Sequence, residues 1–216
     1  MHNPQHFYFE YFRTFSFHAQ KFEQPLNNPF LRKFCYKVYY HKSSSKKYAF
    51  EFINENGNSE YIGYFNPMGL LEKTEVIDYS RGRMNMKYYY TPGKKLIAVR
   101  LFDDQKIFFA YGKAQYSPDN NVIFIDFISK ETGKTLLYQM IRSDGKGNDV
   151  EIATYSNEGT LFSNHLYFYS RSGNLVKYEF YKKLKFIAGF KFTPSGILEL
   201  RGPSGGRNLS NYNDAN

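Results

Sequence analysis

From Tyr48 onward, apolar and polar residues alternate in short runs, as where Met84, Met86, Tyr88 and Tyr90 interleave with Asn85 and Lys87. A period of two is the signature of a strand with one buried and one wet face. Many runs end in the same device: an aromatic residue, a small hydroxyl or amide residue, two further positions and a glycine. It is written Tyr155-Ser156-Asn157-Glu158-Gly159 and Tyr169-Ser170-Arg171-Ser172-Gly173, and again Phe65-Asn66-Pro67-Met68-Gly69 and Phe192-Thr193-Pro194-Ser195-Gly196. Variants are Tyr90-Thr91-Pro92-Gly93 and Tyr116-Ser117-Pro118-Asp119-Asn120. Ser and Asn bond their own backbone and Gly accepts positive φ, so each device marks a strand end and a turn. The aromatic starts fall at 65, 90, 116, 155, 169 and 192, near multiples of a unit of about 13 residues, one strand plus one turn. Glu55-Asn56-Gly57, Arg81-Gly82, Asp103-Asp104-Gln105, Thr132-Gly133 and Asp144-Gly145-Lys146-Gly147 supply the intervening turns.

The pattern therefore predicts strands near 48–54, 59–65, 70–78, 83–90, 95–102, 106–116, 121–128, 134–142, 149–155, 160–169, 174–181, 184–192 and 196–201. Reversal every dozen residues is a meander of hairpins, because strand-helix-strand units need longer crossovers. Twist makes open sheets of more than about ten strands curl, split or close. The expected fold is all-β, an antiparallel meander of about 10–13 strands, closed or strongly coiled into a barrel-like sheet.

Ahead of this regular part, Phe9 to Phe17 predicts a strand whose one face carries Phe9, Tyr11, Arg13, Phe15 and Phe17. Gln20 to Phe34, with Pro25, Asn27-Asn28 and Pro29, predicts a loop, and Leu31 to Tyr40 a second strand. His41 to Lys47, centred on Ser43-Ser44-Ser45, is linker-like. Three parts follow: residues 1–45, an aromatic segment packing on the sheet; 46–201, the meander domain; and 202–216, a flexible tail rich in Gly and Asn. Val122 to Ile128 and Leu166 to Tyr169 are apolar on both faces, so the middle of the sheet is expected to be covered on both sides, by the N-terminal segment or a partner chain.

At the turns where glycine is followed closely by Leu or Ile (Gly69-Leu70-Leu71, Gly159-Thr160-Leu161, Gly173-Asn174-Leu175, Gly196-Ile197-Leu198) the chain resembles the tyrosine- and glycine-rich strand repeats of the YD/RHS and YwqK-type antitoxin families. The likeness covers about residues 60 to 200. Ser, Thr or Asn stands where the YD repeat has its Asp. The resemblance implies a non-catalytic shell or interaction sheet. The turns also look like those of lipocalin-like barrels, which would imply a small apolar ligand inside, although that family's N-terminal Trp is absent.

Composition sharpens this picture. Aromatic residues make up 20% of the 216, as 22 Phe and 21 Tyr with no Trp, an excess that suits strand surfaces. A formal charge of +9 favours anionic partners, but the basic residues sit beside turns or on alternating positions, as expected of a solvated rim that protects sheet edges. A lone cysteine, Cys35, excludes an internal disulfide and an all-cysteine metal site; between Phe34 and Tyr36 it reads as a buried small hydrophobe. The sequence carries no leader-like or membrane-spanning apolar run, so a cytoplasmic protein is expected.

Catalysis needs convergent groups, and few are legible. His2 and His6 flank Pro4 at the chain end, which argues against a helical metal pair. His165, within a predicted strand, reads as a satisfied surface or core residue. The Asp144 to Glu151 stretch lacks the alternating oxygen ligands of a calcium loop, and Asp103-Asp104 has no apolar pocket to raise a carboxyl pKa. No nucleophile elbow, P-loop or dinucleotide fingerprint occurs. We therefore expect no enzyme and no cofactor or metal, but a binding or structural interaction protein. The candidate binding residues are Arg81, Arg83, Lys87, Tyr88, Tyr89, Tyr90, Phe124, Phe127, Tyr167 and Tyr169. A protein partner or self-association comes first. A small hydrophobic ligand inside a barrel is the alternative, and single-stranded nucleic acid, stacked on Tyr88 to Tyr90 beside Arg81, Arg83 and Lys87, the third.

Overall fold

A computed structural model describes residues 6–27, 32–79, 83–193 and 196–200. Among them sixteen strands form one antiparallel sheet: β1 (Phe7–Ser16), β2 (Lys21–Pro25), β3 (Cys35–His41), β4 (Lys47–Ile53), β5 (Ser59–Phe65), β6 (Leu71–Val76), β7 (Asn85–Tyr90), β8 (Leu96–Phe102), β9 (Phe108–Tyr116), β10 (Val122–Ser129), β11 (Thr135–Ser143), β12 (Asp149–Ser156), β13 (Leu161–Tyr169), β14 (Leu175–Lys182), β15 (Lys185–Thr193) and β16 (Gly196–Glu199). From β3 to β16 every strand pairs with its chain neighbour, and β1 is inserted between β2 and β3.

The repeated turn has a physical basis that recurs along the chain. In the Phe65 device, Asn66 Oδ1 accepts from the amides of Met68 (3.0 Å) and Leu70 (3.1 Å), and Gly69 at φ 77° donates to the Asn66 carbonyl at 2.9 Å. Ser156 Oγ accepts from Glu158 and Thr160, and Asp144 Oδ1 from Lys146 and Asn148, with Gly159 and Gly147 at positive φ. The polar residue thus holds the loop open and the glycine closes it. In the Tyr90 turn the positive φ falls on Lys94 rather than Gly93. Gly196 opens β16, while Pro194 and Ser195 lie outside the described residues, as does the 202–216 tail.

The sheet coils but is not closed, which corrects the closed-barrel expectation: β2 and β16 are its two ends and no ladder joins them. Side chains meet across the gap instead. The ring of Phe34 lies 5.1 Å from that of Phe190 and 5.6 Å from that of Phe192. The Arg13 guanidinium stands 4.8 Å over Phe192 and donates to the Phe34 carbonyl at 2.7 Å. Gln24 Oε1 accepts from the Leu175 amide at 3.0 Å.

β2, where a loop was expected, contributes Gln24 to this arrangement. It has one core side chain, Phe22, set against Phe12 and Phe15 of β1 and Phe50 of β4, and buried with Val38, Phe65 and Leu71. A five-residue strand with one apolar position and a terminal proline has no visible alternation. β1 also departs from its expected aromatic face: Phe12 joins Phe15 in the core, while Phe9 is exposed beside Tyr39 and Lys37.

A second cluster collects one face of β8 to β11 through Leu96, Val99, Leu101, Ala110, Ile123, Ile125, Phe127 and Ile141. Gly112 makes room for it, since a methyl group there would stand 2.5 Å from Ile125. The opposite face of β10 is not covered: Phe124 is 48% exposed.

Candidate binding surfaces

The ten sequence candidates divide between the two faces of the sheet, because neighbours along a strand point opposite ways. Arg83, Tyr88 and Tyr167 come together on the concave side. Lys87, Tyr89 and Phe124 face outward. Phe127 is core, 2% exposed. Tyr90 turns inward and donates to the Leu71 carbonyl at 2.8 Å, and Tyr169 donates to the Asp149 carbonyl at 3.2 Å. Arg81 lies outside the described residues.

The concave site joins the two halves of the coil. Arg83, just ahead of β7, pairs with Glu60 of β5 at 3.1 Å and lies 4.6 Å over the ring of Tyr61. Glu60 is fully buried, whereas the Arg83 side chain keeps 35% of its exposure. Burial works against the Arg83 cation, but Tyr61 and Glu60 outweigh it and leave its pKa above the ordinary value. Around it stand Tyr36, Tyr61, Tyr88 and Tyr167, whose hydroxyls burial pushes up. On the far wall His165 Nδ1 lies 2.8 Å from the Tyr178 hydroxyl, its ring stacked on Phe180 at 4.6 Å. Burial first, and Arg83 second, lower the His165 pKa to about 3, so the imidazole is neutral at physiological pH.

Chemically this is a network of hydrogen bonds and cation–ring contacts that ties β5 and the approach to β7 to β13 and β14. The sequence reading missed Glu60, Tyr36, Tyr61 and Tyr178, and their one visible signal was a charged or hydroxyl group set inside an apolar alternation. Cys35 is fully buried and burial raises its pKa to about 11, which keeps the thiol protonated and unreactive. Among the described residues no group of three or more His, Cys, Asp or Glu is placed to hold a metal. No described helix is long and apolar enough to cross a membrane, which says nothing of a strand-built span.

The convex side of β9 to β12 carries the largest exposed rings near the sheet's middle. Phe124 stands opposite Met140, Tyr138 opposite Tyr155, and Tyr111 opposite Ile128; Tyr138 is 39% exposed and Tyr111 38%. Asp126, opposite Lys113 and Tyr138, interrupts the apolar surface. Towards β6 the same side becomes basic. Lys73, Lys87 and Arg100 stand directly opposite one another on β6, β7 and β8, with Tyr89 beneath Arg100 at 5.2 Å. Like charges in register repel. Glu75 at 2.8 Å from Lys73 and Glu72 at 3.9 Å from Lys87 relieve part of that repulsion.

No family model and no curated protein matches the chain. Solved structures with some likeness include "Crystal Structure of TcdB2-TccC3-TEV", at 12% identity and a TM-score of 0.31 over 73% of this chain and 8% of that one. A porin-like protein from Bacteroides uniformis shows 7% identity and a TM-score of 0.29 over 76% of this chain and 71% of that one. At such scores neither bears on function.

Proposed function

We propose that the chain is a non-catalytic interaction protein whose convex β9–β12 surface, centred on Phe124, Tyr111 and Tyr138, binds a protein partner or a second copy of itself. The observation that carries this reading is the exposure of Phe124, 48%, in the middle of a sheet whose other face is packed. Exposed aromatic clusters of this kind are enriched at protein interfaces, where large rigid rings bury much area at small entropic cost. Light scattering after size exclusion, with and without cross-linking, tests it. The unsubstituted chain should self-associate or retain a partner from its native extract, and Phe124→Ser with Tyr138→Ser should lose that association while unfolding at the same denaturant concentration. A strictly monomeric chain that retains nothing would count against the reading.

The in-register row of Lys73, Lys87 and Arg100 beside Tyr89 favours a second reading, binding of single-stranded nucleic acid. Its mark would be oligo(dT) affinity that falls steeply with salt and drops further in Lys87→Gln. Carriage of an apolar ligand within the coil is a third reading; the filling of the β3–β6 interior by Phe12, Phe15 and Phe22 weighs against it.

A further inference from the structure

A cleft of about 880 Å³ opens where the turns linking β3 to β4 and β5 to β6 project past the β1–β2 hairpin. It lies apart from both the convex patch and the tyrosine cluster. Its apolar wall is Phe12, Phe22, Phe65 and Met68. Phe22 and Phe65 belong to the buried core, so this wall is rigid, while Met68, 51% exposed, is an adaptable rim.

The charge of the cleft is one-sided. Lys21, Lys46, Lys47 and His41 line it, and no described lining residue is acidic. Lys21 is engaged at the rim by Glu23 at 3.0 Å. Lys47 is different. Its ammonium reaches 4.7 Å from the Phe65 ring centre and 5.7 Å from that of Phe22, and donates to the Gln20 carbonyl at 2.7 Å. An ammonium has three N–H donors, and the cation–π contacts are a weaker resource than an anion. The Lys47 side chain is half-buried, and burial lowers its pKa.

We propose that this cleft binds an amphipathic carboxylate, with the carboxylate on Lys47 and an acyl- or aryl-sized apolar body along Phe12, Phe22, Phe65 and Met68. The volume falls in the range of small-molecule sites, which combine apolar walls with a few placed polar groups. An anion would give the half-buried Lys47 ammonium a charged acceptor beside its Gln20 carbonyl partner, and a neutral molecule of the same shape would not, so charge sets specificity while the rings supply the contact area.

The experiment is isothermal titration of the full chain with octanoate and with 1-octanol. Octanoate is expected to bind at least tenfold more tightly than octanol. Lys47→Met, which keeps an apolar stem over the rings, is expected to abolish the preference and leave both probes near the octanol affinity. Met68→Ser should weaken both alike. Equal affinity for the two probes, no binding of octanoate, or an unchanged preference in Lys47→Met would overturn the proposal. The ratio measured on the unsubstituted chain decides the matter even if Lys47→Met does not fold.

Discussion

Asp149, the first residue of β12, takes the His18 Nδ1–H at 2.8 Å from a chain position 131 residues earlier. The same carboxylate accepts the Phe17 amide, and beside it Ser16 Oγ donates to the Gly147 carbonyl at 2.6 Å. Both side chains are almost fully buried, at 9% and 6% exposure. The tip of the N-terminal hairpin is thereby latched to the turn between β11 and β12.

Asp149→Ala strands these buried donors, and a lost partner of this kind costs about 3 kcal/mol. The expected outcome is an unfolding free energy lower by that amount, read as a lower urea midpoint at unchanged m-value, with faster amide exchange at Phe17 and His18. Asp104→Ala, at an exposed turn position, should change stability by less than about 0.5 kcal/mol.

His165 gives the fold an acid sensitivity of known sign. Its folded pKa, about 3, is below the unfolded value of 6.5, so the unfolded chain binds more protons between the two. Its contribution is fully present above pH 6.5 and is lost as pH falls towards 3, by up to about 1.4 kcal/mol per pH unit. Arg83, the nearby cation, sharpens the effect, and the neutral Tyr178 hydroxyl does not offset it. Unfolding free energies measured from pH 7 to pH 4 should show this slope, and His165→Gln should flatten it even if its stability at pH 7 is lower.

Gly63 on β5 faces Phe50, and a methyl group there would enter that ring. Gly63→Ala should cost about 1–3 kcal/mol or more through overpacking. Phe50→Leu in the same chain should recover part of the loss, and a double-mutant cycle by chemical denaturation would measure the coupling. Additive effects would show that the two positions do not compete for space.

The turn glycines should behave differently, since Gly159 at φ 80° has nothing within 4 Å of where a Cβ would go. Gly159→Ala is expected to cost about 1–2 kcal/mol from backbone strain alone, and Gly159→Asn less, because Asn tolerates the left-handed region better. Thermal unfolding of the two variants would read this order.

Much of the architecture was legible because the meander is written locally. Each expected strand from Tyr48 onward corresponds to one of β4 to β16, since alternation and the Ser/Asn-to-Gly turn act within a dozen residues. What escaped was non-local. β2 has no alternation to see and exists because Phe22 finds Phe12, Phe15 and Phe50. That the sheet stays open was not legible either: a closed or strongly coiled sheet was expected, and its two ends meet through Phe34, Arg13 and Phe192 rather than through a ladder. The Tyr88-Tyr89-Tyr90 run reads as one patch, yet the pleat sends Tyr89 outward and its neighbours inward. The Arg83–Glu60 pair joins residues 23 positions apart on different elements, and nothing in either local sequence announces it.

The insertion of β1 between β2 and β3 has a consequence for how such a chain can change length. Everywhere else a strand answers to its immediate predecessor, so a hairpin added near the C-terminal end would extend the spiral without disturbing earlier pairings. The latch at Asp149 and the Gln24–Leu175 bond fix where the spiral must come round to meet its own beginning. The N-terminal hairpin therefore works as an internal gauge of curvature, and growth upstream of β12 would put the gauge out of reach of its mark.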